Sequence, residues 1–185
     1  LKIQDPRKKK LMILNSLLLL SDTANIIREK GIKLKIISCG GSGTYWISAF
    51  APGITEVEAG GGIFGCNRYR RGYGVELEPA LTILSTVTSR PTKTRIVCDS
   101  GFKTTGKGYG EPELINFGQI KSFEFSAEHG MITLAEVNSA IKVGERFEFV
   151  PAYSDATVFL HDYLYGVRDG VIENVWPVIG RGKLH

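Results

Sequence analysis

Two glycine-rich segments carry the clearest chemical signal in this sequence, and each directly follows a short apolar run. The first reads SCGGSGTY over residues 38–45, and the second reads EAGGGIFG over residues 58–65. Glycines let the backbone approach a ligand closely, and successive N–H groups form a concave site for an anion. The hydroxyls of Ser42 and Thr44 add donors. The pattern indicates phosphate binding, with a plain glycine turn as the alternative for the first segment and an interdomain hinge for the second.

A third polar feature reads PAYSDAT over residues 151–157. Tyr153 and Asp155 are two positions apart, so an extended segment would present them on one face. A phenol and a carboxylate on one face could transfer protons or hold a cation. A polar turn closed by an Asx-type hydrogen bond is the alternative that spacing alone favours.

Other polar residues fit structural roles more simply. His129 precedes a predicted strand and His161 stands beside Asp162; either histidine could act as a base, but a hydrogen-bonded structural histidine is the commoner case. Asp99 ends a predicted strand, where aspartate often caps a turn. The segment GRGK over 180–183 is either an anion-contacting loop or a frayed end.

The elements that must position the glycine segments are predicted by apolar spacing. A helix is expected over 6–30, with Pro6 in its first turn and Gly31 just beyond its end. Short buried strands are expected over 33–39 and 55–58. A helix, a glycine turn, a strand and a glycine loop in succession are typical of α/β folds.

From about residue 80 the sequence becomes rich in Thr, Val and Ile, which predicts an antiparallel β domain. We therefore place a domain boundary between 1–78 and 79–185, and we expect a loop over 106–111. The strands are expected over residues 81–89, 94–98, 120–125, 131–136, 146–150 and 171–176.

Composition excludes several classes of protein. The chain has 185 residues, 43% of them apolar, with a net charge of +4. The positive excess lies in residues 1–35, which rules out a general basic surface for nucleic acid. The longest apolar run, 11–20, is half of the roughly 20 residues that a bilayer span needs, so we expect no membrane partner. The basic run Arg7–Lys10 is most simply a solvated helix surface, with anion binding as the alternative.

Three cysteines, Cys39, Cys66 and Cys98, are widely spaced and form no C-x-x-C pair. That spacing excludes a zinc knuckle and a redox dithiol. Free thiols in a reducing cytoplasm are the simplest interpretation. Because residue 1 is Leu rather than Met, we expect the chain to start inside a longer protein.

In this order, the motifs resemble the C-terminal half of the D-threonine aldolase and D-serine dehydratase family of pyridoxal-phosphate enzymes. The resemblance implies the last units of an alanine-racemase-like (β/α)8 barrel (1–78) followed by an antiparallel β domain (79–185). The matching stretches are SCGGSGTY (38–45), EVEAGGGIF (56–64), LTILSTVTSRP (81–91), VCDSGFKT (97–104), AEHG (127–130) and the segment 150–185.

The resemblance also implies roles for the two glycine segments and for the whole protein. The segments follow the seventh and eighth barrel strands and grip the phosphate of pyridoxal 5′-phosphate through Gly41, Ser42, Gly43, Thr44, Tyr45, Gly60 and Gly61. The full-length protein is then expected to be a cytoplasmic, homodimeric lyase acting on a small D-amino acid with a β-hydroxyl. A racemase of the same fold, a non-catalytic cofactor-binding module and a degraded gene fragment are the alternatives.

Three departures from the family pattern modify this expectation. The Schiff-base lysine of the family lies on the first barrel strand, which has no counterpart here, so we expect the isolated chain to be inactive. This chain has Tyr153 at the position where the family has a metal-binding histidine, and of that metal motif only Asp155 is kept. Zinc or manganese should therefore bind weakly or not at all, and Tyr153 should supply the proton instead. Gly62 and Cys66 stand where the family often has Tyr and Asp.

Overall fold

The computed structural model describes residue 3 and residues 5–183, and the chain forms two compact units, 1–78 and 79–185. The first unit begins with helix α1 (Pro6–Glu29), which confirms the predicted helix. Asp5 caps its N-terminus by accepting hydrogen bonds from the backbone N–H groups of Arg7 and Lys8, at 2.9 and 3.2 Å. Gly31, with φ of +80°, ends it in the conformation that glycine favours.

Helix α1 buries one narrow stripe. Ile13 and Leu17 pack with Ala51 into a small core, and Cys39, Ile47 and Ile54 border it. Leu18 and Leu19 on the opposite side are exposed. The helix is long and apolar enough to cross a membrane, a test that core helices of soluble proteins and signal sequences also pass.

A short pair of parallel strands follows α1. Strand β1 (Ser38–Cys39) pairs with β2 (Glu56–Val57), and helix α2 (Tyr45–Ser48) lies between them in sequence. The predicted strands over 33–39 and 55–58 are therefore too long. The Ile37 carbonyl accepts from the N–H groups of Thr55 and Glu56, but residues 33–36 pair with no strand in the described part of the chain. A glycine-rich 3₁₀ turn (Gly60–Ile63) and a π-helical turn (Arg68–Gly72) complete the first unit.

The second unit contains a six-stranded antiparallel sheet in the order β5-β8-β3-β4-β7-β6. The predicted strands are confirmed with ends shifted by up to two residues, whereas the short β5 was not predicted. Val87, Ile96, Ile132 and Phe149, which the alternating pattern places on one face, are almost fully buried. The strands are β3 (Ile83–Ser89), β4 (Arg95–Cys98), β5 (Glu113–Leu114), β6 (Ile120–Phe125), β7 (Gly130–Leu134) and β8 (Arg146–Val150).

Two short helices and a hairpin complete the second unit. Helix α3 (Phe102–Thr105) and helix α4 (Ser154–Val158) contact each other, and the loop predicted over 106–111 is confirmed. Strands β9 (Tyr163–Arg168) and β10 (Val171–Pro177) form a hairpin of their own, of which only β10 was predicted. Both residues of its Asp169-Gly170 turn have positive φ, the geometry that joins twisted antiparallel strands.

Candidate functional site

The structure brings the two glycine segments of the first unit together. A methyl group built on Gly61 would lie 2.9 Å from Ser42 Oγ, and one built on Gly41 would lie 3.7 Å from the Glu58 carbonyl oxygen. The loop after β1 and the loop after β2 are therefore in direct contact. Two glycine loops at the carboxyl ends of adjacent parallel strands form the usual setting for a phosphate.

Within these loops, some backbone N–H groups are already used. Those of Thr44 and Tyr45 donate to the Gly41 carbonyl at 2.9 and 3.0 Å, which forms the turn that begins α2. In the part of the chain that the structure describes, the backbone N–H groups of Ser42, Gly43, Gly60 and Gly61 make no hydrogen bond. The Ser42 hydroxyl makes none either, although Ser42 is only 4% exposed.

Two tyrosines from the π-helical turn and its end close over the glycines. A methyl group on Gly61 would come within 2.2 Å of the Tyr69 ring, and one on Gly43 within 3.0 Å of the Tyr73 ring. Arg68 donates to the Tyr73 hydroxyl at 3.3 Å. Sequence reasoning missed these residues, although the alternation of basic and aromatic residues in RYRRGY was a usable signal.

Lys9 contacts this cluster from helix α1. It is only 4% exposed, so the prediction of a solvated surface over Arg7–Lys10 is wrong at this position. Lys9, Ile13 and Leu17 are each four residues apart and share the buried stripe of the helix. The ammonium donates to the Tyr73 carbonyl oxygen and lies 4.3 Å from the ring centre of Trp46. Burial lowers the pKa of the Lys9 side chain.

Cys39, at the end of β1, is poorly suited to be a nucleophile. Burial raises the pKa of its thiol, and the nearby charge of Glu58 also raises it, whereas a hydrogen bond with Ser48 opposes the shift. The thiol is therefore protonated at neutral pH, and the nucleophile is the thiolate.

Tyr153 and Asp155 lie in the second unit, and the expected extended segment is wrong there. Tyr153 itself is extended, with φ of −146° and ψ of 115°, but helix α4 begins at the next residue and contains Asp155. Thr157 reaches back one helical turn, with Oγ1 2.9 Å from the Tyr153 carbonyl oxygen. Asp155 is exposed and accepts from Ser154 Oγ at 3.0 Å.

The residues around Tyr153 are held by contacts of α3 with α4 and with His161, which follows α4. Thr157 Oγ1 also lies 2.7 Å from the Thr105 carbonyl oxygen, and His161 Nε2 lies 2.8 Å from the Thr104 carbonyl oxygen. The Tyr153 ring packs against Tyr109, with centres 4.7 Å apart. Among the described residues, no group of three or more His, Cys, Asp or Glu side chains could hold a metal ion.

The other polar residues singled out in the sequence have structural partners. Asp99 accepts from Ser85 Oγ at 2.9 Å and from a backbone N–H, and the backbone N–H of His129 donates to Ser126 Oγ at 3.3 Å. Asp162 pairs with Arg181. The contacts of Asp99 agree with the structural role expected for that residue.

Comparison with known proteins finds relatives that match residues of both units. The family described as "Putative serine dehydratase domain" matches residues 80–167, within the second unit. The D-threonine aldolase of an Arthrobacter species is 32% identical over 164 residues, and the 3-hydroxy-D-aspartate aldolase of Paracoccus denitrificans (strain Pd 1222) is 29% identical over 170. These alignments cover 86% and 88% of this chain but only 43% of each relative.

A solved structure agrees closely with the fold. The crystal structure of D-threonine aldolase from Filomicrobium marinum superposes with a TM-score of 0.92 at 25% identity, covering 100% of this chain and 52% of that chain. The present chain thus spans about half the length of the proteins it matches. With the family match and these relatives taken together, the chain belongs to the D-threonine aldolase and D-serine dehydratase family.

Proposed function

We propose that the full-length protein is a pyridoxal-phosphate-dependent lyase acting on a D-amino acid that carries a β-hydroxyl group. One observation carries this proposal: Ser42 and Gly61 place two glycine loops in contact, with N–H groups that have no other hydrogen-bond partner in the described chain. The named activities of the relatives, aldolases of D-threonine and 3-hydroxy-D-aspartate, support the substrate class.

The residues present fit a phosphate group. Gly60 faces open space, since a methyl group built there would meet nothing within 4 Å, and the N–H groups of Ser42 and Gly60 supply donors, as does the Ser42 hydroxyl. Thr44 and Tyr45 instead form the turn that shapes the loop, and Gly41 accepts their hydrogen bonds. When bound, pyridoxal phosphate supplies the electron sink for bond cleavage beside the amino group.

For the acid–base step, the proposal assigns Tyr153 to donate a proton to the substrate's β-oxygen or α-carbon, with Asp155 as its neighbour. Asp155 is a single carboxylate, and one carboxylate rarely fixes a divalent ion without further ligands. We expect weak zinc or manganese binding and an activity that is insensitive to chelators. In this proposal, 1–78 is the end of a cofactor-binding barrel, and the complete enzyme is a cytoplasmic homodimer.

The test is a titration of the 185-residue chain with pyridoxal phosphate, followed by fluorescence. Gly43→Asp should abolish binding, because its side chain would collide with Tyr73 and place a negative charge in the loop. Gly72→Asp is the matched control, since a side chain there meets nothing within 4 Å. Equal affinity of Gly43→Asp and the unaltered chain would contradict the site.

Borohydride reduction of the same mixture separates cofactor binding from catalysis. Because no lysine here matches the family's Schiff-base position, we expect no stoichiometrically labelled lysine by peptide mapping. One fully labelled lysine would show that the chain contains its own Schiff-base group.

A further inference from the structure

Lys9 is a buried cation that the proposed function does not use. The side chain is 4% exposed, and within the described chain its contacts are the Tyr73 carbonyl oxygen and the rings of Trp46 and Tyr73, at 4.3 and 5.8 Å. None of these groups carries a negative charge. An ammonium has three donors, and among the residues that the structure describes only the Tyr73 carbonyl oxygen accepts from this one.

A buried charge without a counter-charge is costly to fold. Removing an ammonium from water carries a large free-energy cost, and a cation–π contact returns only part of it. An apolar side chain of the same length would fill this stripe of α1, beside Ile13 and Leu17, without that cost. Lys9 is therefore not explained by the packing of the unit alone.

Both aromatic partners of Lys9 adjoin the first glycine loop. Trp46 follows the first loop directly, and the Tyr73 ring covers Gly43, where a methyl group would lie 3.0 Å from the ring. A second cation, Arg68, lies 5.6 Å from the Tyr73 ring centre. The loops, their unused N–H groups and two positive charges thus meet in one packed cluster.

We propose that Lys9 is a positioning residue for anion binding: it holds Trp46 and Tyr73 beside the Gly41–Thr44 loop and supplies the positive charge that balances a bound phosphate. The inference rests on the proposed function and adds to it a residue outside the glycine loops. The ligand chemistry is a phosphate monoester dianion, either free or as part of the cofactor.

The experiment compares four variants of the 185-residue chain by calorimetric titration with inorganic phosphate at constant ionic strength. Lys9→Met removes the charge and the donor, and Lys9→Gln removes the charge but keeps a donor for the Tyr73 carbonyl. Both should weaken phosphate binding by about tenfold, as loss of a charge-assisted contact does. Lys9→Arg should keep the affinity within about threefold, and Lys10→Met, at an exposed neighbour, should leave it unchanged.

A second readout separates this role from a purely structural one. In phosphate-free buffer, Lys9→Met should unfold at the same or a higher denaturant concentration, because an uncompensated buried charge is removed. Unchanged phosphate affinity in Lys9→Met and Lys9→Gln, with or without lower stability, would overturn the inference and leave the proposed site intact. Failure of the unaltered chain to bind phosphate would overturn the proposed site itself.

Discussion

At the scale of single residues, position within an element decides what a side chain does. Lys8, Lys9 and Lys10 have the same chemistry, yet only Lys9 is buried, because it lies four residues before Ile13 on one stripe of the helix. That spacing is visible in the sequence. The burial could therefore have been predicted, whereas contacts with Trp46 and Tyr73 depend on folding of the whole unit.

Gly61 should tolerate no side chain. Gly61→Ala places a methyl group 2.2 Å from the Tyr69 ring, so the ring must move. We expect the free energy of unfolding to fall by about 1–3 kcal/mol and phosphate binding to weaken. Gly62→Ala is the control, because its methyl group meets nothing within 4 Å. Denaturant unfolding of both variants checks the prediction, and equal stability would refute it.

Lys9 should make stability depend on pH in the alkaline range. Burial lowers its pKa below the 10.5 of an ordinary lysine, so between the two values the unfolded chain binds more protons than the folded chain. The free energy of unfolding therefore rises as the pH increases through that range towards 10.5. The difference between the unaltered chain and Lys9→Met, measured at several pH values without phosphate, should show this rise; a flat difference would argue against it.

Tyr153 should matter for turnover and not for cofactor binding. In the full-length protein, Tyr153→Phe removes the proposed proton donor and should lower kcat by about a hundredfold or more. Tyr163→Phe, at an exposed tyrosine of the same unit, is the control. Steady-state kinetics together with the cofactor absorption spectrum provide the measurement, and full activity of Tyr153→Phe would remove this residue from the mechanism.

At the scale of elements, the sequence predicts long regular segments well and short ones poorly. The predicted bounds of β6 and β8 match the structure, and in β8 the apolar Phe147 and Phe149 alternate with charged residues. Helices α3 and α4 have four and five residues, too few for a helical period to be recognised. For that reason Tyr153 and Asp155 were placed on one extended face, which the structure contradicts.

The contact between α3 and α4 should be a strong stabilising feature of the second unit. Thr157→Val keeps the shape but leaves the Thr105 carbonyl without its hydroxyl partner, at an expected cost of about 1–3 kcal/mol. Thr88→Val, at an exposed threonine, should change the free energy of unfolding by less than about 0.5 kcal/mol. Urea unfolding of the two variants is the comparison, and similar midpoints would contradict the assigned role.

At the scale of the whole molecule, some elements bury their apolar residues completely and others leave them exposed. The six-stranded sheet encloses a continuous core of aromatic and aliphatic side chains. Every residue of β10 is exposed, and α1 leaves Leu18 and Leu19 uncovered. The sequence does not predict this difference, because the type of an apolar residue does not say whether another element packs against it.

The exposed hairpin should make the isolated chain self-associate. Tyr165, Val171, Val175 and Trp176 are all more than half exposed on two short strands, and patches of this kind promote association. Val175→Lys should therefore lower the sedimentation-average mass at high concentration. Val143→Lys, at an exposed valine outside the hairpin, should not. A monomeric unaltered chain would contradict the prediction.

The close approach of Tyr69 to Gly61 has a consequence for how this family can diverge. Two positions that share one small volume cannot drift independently, so a lineage can enlarge residue 61 only after residue 69 has become smaller or has moved away. Among natural homologues, glycine at 61 with an aromatic residue at 69, and a larger residue at 61 with a small one at 69, should therefore be the two common pairings. The intermediate with bulk at both positions should be rare, which sets the order in which the two substitutions can occur.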